Sequence, residues 1–237
     1  MMHVLINLSW RCNLKCPYCL LPHIKINRDA VEHTWQEWAA GICTHAPPKS
    51  IVDVAGGEPL LFPGLALFLQ ELARNNIFWA ITTNAMNAAG IDELIRVHPD
   101  KCVLVNVSDH PGNIGADKNI ERLRRVFPVS INRVDHPQAG KRNIRIGSLI
   151  PYQRYREGTE LDGVKRWCHA GINHWVADPG GDVFQCNVAM AIAREPIGNL
   201  FNGSSIRPPE MPYLCDWGCS SCYTSVPNAW LEDARLA

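Results

Sequence analysis

The sequence lacks an excess of charge of either sign, because 23 Lys and Arg residues are balanced by 23 Asp and Glu residues. This balance removes the electrostatic basis for binding nucleic acid or an anionic membrane surface. Long apolar runs are also missing, and none approaches the roughly 20 residues that a membrane-spanning helix needs. The N-terminus carries no charged region followed by a signal-like apolar stretch. We therefore expect a cytoplasmic protein whose partners include neither nucleic acid nor a membrane.

Cysteine, by contrast, is abundant, with ten residues in the chain. In a chain without an export signal, reduced thiolates that bind metal are expected rather than disulfides. The cysteines also cluster, with three in residues 12–19, three in residues 215–222, and Cys168 and Cys186 between these groups. Two others stand alone in apolar stretches, where small buried hydrophobic residues are expected: Cys43 and Cys102.

Strand-like and helix-like segments alternate through the first two thirds of the chain. The strand-like segments are 3–9, 50–59, 77–85, 102–110, 129–134 and 143–150, and the helical ones are 30–42, 64–76, 91–99 and 117–127. This alternation predicts an α/β fold with a parallel sheet of five or six units, fewer than the eight of a full barrel. After Pro151 the alternation ends, and a hairpin is predicted around residues 178–182. We therefore predict two domains, 1–150 and 151–237.

Polar or cysteine-containing segments follow each of the first four predicted strands. The first strand leads into the cysteine loop, the second into residues 56–59, the third into residues 82–84, and the fourth ends at residues 106–109. Functional groups of parallel sheets gather at the carboxyl ends of their strands. The four segments are therefore predicted to converge on one edge of one sheet.

The first cysteine group has the spacing C-x3-C-x2-C, formed by Cys12, Cys16 and Cys19, with no fourth cysteine nearby. Structural zinc usually takes four ligands. Three thiolates on one loop can instead hold three irons of a 4Fe–4S cluster and leave the fourth iron open to a non-protein ligand. A zinc site completed by His23 or His3 is the alternative. The remaining histidines considered have no metal-binding spacing and are interpreted as surface or core residues: His33, His45, His98, His110, His136 and His174.

The cysteine loop and the Gly-Gly-Glu-Pro segment at residues 56–59 together resemble the signature of radical S-adenosylmethionine (SAM) enzymes. The resemblance covers roughly residues 3–150. In that family the open iron binds the amino and carboxylate groups of SAM. The reduced cluster cleaves SAM to methionine and a 5′-deoxyadenosyl radical, which abstracts a hydrogen atom from the substrate. The resemblance implies a partial (β/α)6 TIM-like barrel with a 4Fe–4S cluster on Cys12, Cys16 and Cys19.

The same resemblance implies which other residues contact SAM. Gly56, Gly57 and Glu58 correspond to the segment that contacts the methionine amino group. Asn84 corresponds to a polar residue at the end of the next strand. Further residues of the implied SAM site are Ser108, its neighbour Asp109, Tyr18 by its backbone near the adenine, and Ile146 and Gly147 on the strand that lines the adenine.

The C-terminal cysteines resemble the twitch and SPASM extensions of this superfamily. Cys168 and Cys186 frame a C-x12-G-x4-C element with Gly181 as the inner glycine, and three more cysteines lie in residues 215–222. The C-x2-C-x5-C-x3-C block of a full SPASM extension, which holds two auxiliary clusters, is absent. A twitch-like β-hairpin/helix extension with one auxiliary cluster therefore fits better.

This second resemblance implies an auxiliary 4Fe–4S cluster with four ligands: Cys168, Cys186, Cys219 and Cys222. Cys215 is left over, either as an extra ligand or, unligated, as a hydrogen donor to a substrate radical. A zinc site of four cysteines is the alternative.

These expectations lead to a radical SAM enzyme that oxidises a small polar substrate, with the auxiliary cluster accepting the electron that the substrate radical releases. The preference for a small substrate rests on the predicted sheet starting at residue 3, which leaves no leader-binding domain before it. The alternative is a peptide-modifying enzyme that forms a crosslink or epimerises a residue. A third, more remote alternative is a non-enzymatic iron–sulfur or zinc protein. Both enzymatic readings need an external electron donor such as flavodoxin or ferredoxin.

Overall fold

A computed structural model describes most of the chain. The described residues are 2–16, 19, 32–110, 116–133, 166–168, 170–191 and 194–215. The predicted sixth strand, at residues 143–150, lies outside them.

The N-terminal part alternates strands with helices. In chain order its elements are β1 (His3–Asn7), α1 (Trp35–His45), β2 (Ile51–Ala55), a 3-10 helix (Pro59–Leu61), α2 (Leu65–Arg74), β3 (Phe78–Thr83), α3 (Ala88–Leu94), a second 3-10 helix (Pro99–Lys101), β4 (Cys102–Asp109), α4 (Ala116–Arg124) and β5 (Val129–Arg133). The C-terminal part is mostly short strands. Its elements are β6 (Arg166–Cys168), β7 (His174–Ala177), β8 (Asp182–Phe184), α5 (Asn187–Ala191), β9 (Gly198–Asn199) and β10 (Tyr213–Cys215).

Strands β1 to β5 form the parallel sheet that the alternation predicts. Each pairs with the next along the chain, so the order across the sheet is β5-β4-β3-β2-β1. Successive helices contact each other from α1 to α4, which places them side by side on one face. The predicted α/β class is confirmed, and five strands of the expected partial barrel are present in the described residues.

The two faces of the sheet differ in burial. On the helix-covered face, side chains such as Val52, Val54, Val105 and Val107 are fully buried. Residues at alternating positions on the other face, such as Asp53, are only half-buried. A parallel sheet covered on both faces has near-continuous apolar strands, whereas in the described part of the chain this alternation leaves one face open. The open face is therefore where polar groups can meet a bound molecule.

The first helix begins later than its apolar spacing predicts. Residues 32–34 are not helical, and α1 starts at Trp35 because Thr34 caps it. The Thr34 hydroxyl accepts a hydrogen bond from the backbone N–H of Glu37, and the Glu37 carboxylate accepts one from the backbone N–H of Thr34. This reciprocal pair satisfies donors that would otherwise be orphaned at the helix start. The expected start at residue 30 is therefore wrong.

The predicted hairpin around residues 178–182 is confirmed, since β7 and β8 pair antiparallel on either side of it. Gly181 adopts a φ of 80°, a conformation that favours glycine, and its N–H donates to the Asp178 carbonyl at 2.9 Å. The hairpin also continues the main sheet, because β7 pairs parallel with β1 and the full order becomes β5-β4-β3-β2-β1-β7-β8-β9. The boundary predicted at residue 150 stays a prediction.

Of the helices in the described ranges, none combines the length and the apolar composition that crossing a membrane requires.

Candidate active site

The first cysteine loop leaves the carboxyl end of β1, as the sequence predicts. The backbone N–H of Leu14 donates to Sγ of Cys12 at 3.4 Å, and the N–H of Cys19 donates to the carbonyl of Cys16 at 3.0 Å. Burial raises the pKa of Cys12, and the nearby charges of Glu58 and Cys19 raise it further. A backbone hydrogen bond thus joins Cys16 to Cys19, and Glu58 and Cys19 are close enough to Cys12 to raise its pKa.

Two backbone hydrogen bonds join the Gly-Gly-Glu-Pro segment to this loop. The N–H of Gly57 donates to the carbonyl of Ser9 at 2.8 Å, and the N–H of Glu58 donates to the carbonyl of Arg11 at 2.7 Å. Gly56 has a φ of 123°, and a Cβ added to Gly57 would lie 2.0 Å from the Arg11 carbonyl oxygen. The close approach of the two loops therefore requires glycine at both positions.

Glu58 is a buried carboxylate, 2% exposed, that organises the ends of two strands. Its Oε1 accepts from the backbone N–H of Leu60 at 3.0 Å and from the Thr83 hydroxyl at 2.6 Å. Its Oε2 accepts from the backbone N–H of Asn84 at 2.7 Å. Burial raises the pKa of Glu58, and these three hydrogen bonds oppose that effect. Glu58 thus fixes the end of β3 against the segment that follows β2.

Asn84 links the end of β3 to the cysteine loop directly. Its side-chain amide donates to Oδ1 of Asn13 at 2.8 Å, and its own Oδ1 accepts from the backbone N–H of Met86 at 2.9 Å. Asn84 is 5% exposed, so its orientation is set by these partners. Residues following β1, β2 and β3 therefore form one hydrogen-bonded unit.

The end of the fourth strand adds His110, which its sequence spacing indicates to be a surface or core residue. Ser108 is half-buried in β4 opposite Asn132 of β5, and His110 follows the end of the strand. Nδ1 of His110 lies 3.8 Å from Sγ of Cys16. Burial lowers the pKa of His110, and Asp109 opposes this effect. The signal that identifies this histidine is its place directly after a strand end rather than any metal-binding spacing.

The first cysteine loop supplies three thiolates, which are the ligand type of a 4Fe–4S cluster. In the described part of the chain, no three His, Cys, Asp or Glu side chains converge closely enough to hold one metal ion. A 4Fe–4S cluster takes each thiolate on a different iron, so its cysteines need not converge on one point. His3 begins β1, at the opposite end of the strand from the loop, and is therefore not the fourth zinc ligand. His23 lies outside the described residues.

The second cysteine region is partly described. Cys168 and Cys186 belong to one buried apolar cluster, and each Sγ accepts a backbone hydrogen bond at 3.4 Å, from Ala170 and Ala189 respectively. Trp10, from the first cysteine loop, packs against this cluster, and within the described ranges its buried indole N–H has no hydrogen-bond partner. The two cysteines therefore lie in the same buried cluster, and each sulfur accepts a backbone hydrogen bond.

Strand pairing extends this second region toward the C-terminus. β10 pairs antiparallel with β6, so Tyr213 lies opposite Cys168 and Cys215 lies opposite Arg166. The Tyr213 hydroxyl donates to Oε1 of Gln185 at 3.1 Å, next to Cys186. β10, after which the chain continues to Cys219 and Cys222, thus lies beside Cys168 and Cys186.

Other predicted site residues fall outside the described part: Tyr18, Ile146, Gly147, Cys219 and Cys222. The two isolated cysteines pack against the core as expected. Burial raises the pKa of Cys43, and it raises the pKa of Cys102 to about 12, so both thiols stay protonated at neutral pH.

Comparison with known proteins identifies the family of one part of the chain. The model of the radical SAM superfamily matches residues 6–108, a range that contains the cysteine loop, the Gly-Gly-Glu-Pro segment and Asn84. Residues 6–108 form a radical SAM domain. The predicted resemblance is therefore confirmed for this part of the chain, and the family implies a 4Fe–4S cluster and SAM.

Curated relatives of this chain include several PqqA peptide cyclases. That of Streptomyces rochei is 25% identical over 83% of this chain and 72% of the relative. That of Gluconobacter oxydans is 30% identical over 39% of this chain, and the match spans only 29% of the relative. The 7-carboxy-7-deazaguanine synthase of Haemophilus influenzae is 30% identical over 33% of this chain and 34% of the relative.

Solved structures share the fold. Native anSMEcpe with bound AdoMet has a TM-score of 0.52 at 17% identity, covering 84% of this chain and 78% of the other. BtrN in complex with AdoMet and 2-DOIA has a TM-score of 0.51 at 16% identity, with the same two coverages. At these identities the likeness concerns the fold alone.

Proposed function

We propose that this chain is a radical SAM enzyme that modifies a peptide, by forming a crosslink or by epimerising a residue. The observation that carries the enzymatic part is the hydrogen-bonded unit of the cysteine loop, the Gly-Gly-Glu-Pro segment and Asn84 inside the matched domain. Cofactor binding at the carboxyl ends of parallel strands is the general rule for such sheets.

The residues at this edge are suited to hold the cluster and SAM. Cys12, Cys16 and Cys19 would bind three irons and leave the fourth to the amino and carboxylate groups of SAM. When bound, the reduced cluster cleaves SAM and so supplies the radical that removes a hydrogen atom from the substrate. The loop itself is held in place by the backbone of residues 56–58 and by Asn84.

Glu58 retains capacity to bind the SAM amino group. An ionised carboxylate offers about four lone-pair sites. The described hydrogen bonds use two on Oε1 and one on Oε2. The remaining lone-pair site on Oε2 can accept one hydrogen bond from an ammonium group. Burial of Glu58 strengthens such a charge-assisted hydrogen bond.

The peptide substrate is inferred from the relatives. Most of the curated relatives found are named PqqA peptide cyclase, and the Streptomyces rochei alignment extends over most of this chain. These names favour the peptide-modifying alternative over the oxidation of a small polar substrate.

We also infer that the second cysteine region holds an auxiliary 4Fe–4S cluster. Cys168 and Cys186 share a buried cluster, and β10 brings the chain before Cys219 and Cys222 beside them. Such a cluster would take up the electron that a crosslinking reaction releases, while flavodoxin or ferredoxin would supply the electron for SAM cleavage. Cys215 would serve as an extra ligand or as the hydrogen donor in an epimerisation.

Iron content and SAM cleavage test the enzymatic proposal. We would reconstitute the wild type and the Cys12/Cys16/Cys19→Ala triple variant without oxygen, with Cys43→Ala as the matched control. We expect about eight irons in the wild type and control, about four in the triple variant, and 5′-deoxyadenosine only from the first two. A wild type that binds zinc, or that binds iron without cleaving SAM, would contradict the proposal. If the triple variant bound no iron, only the proposal of an auxiliary cluster would be refuted.

Mass spectrometry distinguishes the substrates. The reconstituted protein, with a reductant and SAM, would be incubated with short synthetic peptides in H2O buffer and in D2O buffer, and each peptide would then be analysed. A crosslink removes two hydrogen atoms from the peptide, and an epimerisation adds one deuterium only in D2O. A peptide unchanged in both solvents would refute the proposed substrate class.

A further inference from the structure

We propose that His110 donates a hydrogen bond to the Cys16 thiolate and thereby raises the reduction potential of the SAM-binding cluster. This inference rests on the proposed function, because it assumes that Cys16 is a ligand of that cluster. It assigns a positioning and tuning role to a residue outside the cysteine loop.

The contact joins two distant parts of the chain. His110 follows β4, and Cys16 lies in the loop after β1, with β2 and β3 between these strands in the sheet. The Nδ1–Sγ distance is 3.8 Å across 94 residues of sequence. Because sulfur is larger than oxygen, an N–H···S hydrogen bond is longer than the usual N–H···O distance of 2.7 to 3.2 Å. The distance therefore fits a hydrogen bond.

The direction of the hydrogen bond follows from the acceptor. A metal-bound cysteine is a thiolate, which has no proton to donate. The imidazole must therefore present Nδ1–H to the sulfur. A nitrogen whose proton points at Sγ has no lone pair available for iron. His110 therefore donates to the cysteine ligand and does not occupy the open iron position that SAM needs.

Hydrogen bonds to cluster sulfurs are among the factors that set the reduction potential. Reduction adds negative charge to the cluster and its thiolates, so a donor at Cys16 stabilises the reduced state more than the oxidised one. His110 is half-buried, and reduced access of water strengthens this effect. The consequence is a cluster that the external donor reduces more readily.

Redox titration followed by electron paramagnetic resonance tests this role in the full-length, reconstituted protein. The signal to follow is the one that changes when SAM is added, which separates this cluster from any auxiliary one. The variants are His110→Phe, which removes the donor, and His110→Asn, whose side-chain N–H falls near the position of Nδ1. His98→Phe is the matched control, because His98 is exposed and lies before β4, at its opposite end.

We expect a more negative midpoint potential in His110→Phe, recovery of most of the shift in His110→Asn, and no change in His98→Phe. An unchanged potential in His110→Phe would overturn the inference, as would equal shifts in the Phe and Asn variants. Loss of one iron site in both variants would show that His110 is a ligand and would also overturn it.

A measurement on the wild type covers the case in which the Phe variant does not assemble a cluster. Protein labelled with ¹⁵N-histidine is studied by pulsed electron–nuclear methods in H2O and D2O. We expect a weak ¹⁵N coupling together with an exchangeable proton, whereas a strong ¹⁵N coupling or no coupling would refute the hydrogen bond. Failure of the proposed function is a separate result, because the protein would then have no SAM-responsive signal.

Discussion

A single added methyl group at Gly57 tests whether the two loops of the site must touch. In Gly57→Ala the new Cβ would lie 2.0 Å from the Arg11 carbonyl oxygen and 2.8 Å from the Trp10 carbonyl oxygen. Both are backbone atoms, so no side-chain rotation relieves the contact. A carbon–oxygen contact needs roughly 3 Å or more, and the loops must therefore separate by about 1 Å.

This separation affects the hydrogen bonds that join the loops. The Gly57–Ser9 and Glu58–Arg11 bonds are 2.8 and 2.7 Å long, and both would pass beyond hydrogen-bonding distance. A lost hydrogen bond costs about 1 kcal/mol, and overpacking typically costs about 1–3 kcal/mol. With two bonds lost, we expect the free energy of unfolding to fall by roughly 3–5 kcal/mol, a large part of the total for a domain.

Urea unfolding of the cluster-free protein measures the change, and iron content after reconstitution reports its effect on the site. Gly203→Ala is the matched control, since Gly203 has a φ of 75° but nothing within 4 Å of an added Cβ. That variant should lose only about 1–2 kcal/mol through backbone strain. If Gly57→Ala were no more destabilised than Gly203→Ala, the argument from loop contact would be refuted.

Two further substitutions test other parts of the chain. Asn84→Ala removes the hydrogen bond to Asn13, so we expect faster loss of iron to a chelator from the SAM-binding cluster. Asn75→Ala, at the exposed C-cap of α2, should leave that rate unchanged, and equal rates in the two variants would contradict the link. Asp178→Asn keeps an acceptor for the backbone N–H of Asp182, which donates to Asp178 at 3.0 Å. Burial, and then the charge of Asp182, raises the pKa of Asp178 to about 6. A folded pKa above the unfolded value lowers stability as pH rises from about 4 to 6, so the Asn variant should gain on the order of 3 kcal/mol over wild type across that range, by urea unfolding at each pH. A difference that does not depend on pH would refute this assignment.

The sheet, and the edge of it that carries the candidate site, could be predicted from local patterns. Alternating apolar residues such as Val52 and Val54 mark the strands, and each parallel strand brings its carboxyl end to the same edge. The loops after β1, β2 and β3 therefore meet at the edge of the sheet that the strand pattern predicts. The motif identifies the glycines at positions 56 and 57, and the structure gives the physical reason, which is their close approach to the backbones of Ser9 and Arg11 respectively.

Contacts between distant strands could not be predicted in the same way. Strand order gives the edge on which His110 lies, but the approach of its side chain to Cys16 depends on loop conformations that carry no periodic signal. The pairing of β7 with β1 is similar, since it joins His3 to His174 without any local pattern that specifies the partner. Single-sequence reasoning therefore misses contacts that only the complete sheet creates.

The β1–β7 pairing has a consequence for how the two cysteine regions are related. Asn7, at the end of β1, donates to the Ala177 carbonyl at 3.0 Å, and Trp10 packs against the cluster that contains Cys168 and Cys186. The second region is therefore attached to the strand that precedes the first cysteine loop, through backbone hydrogen bonds and buried contacts. Electron transfer between two proposed clusters needs a fixed separation, and a shared sheet provides this better than a flexible linker does. Substitutions that remove the hydrogen bond of Asn7 or the packing of Trp10 are thus expected to weaken the structure of both cysteine regions together.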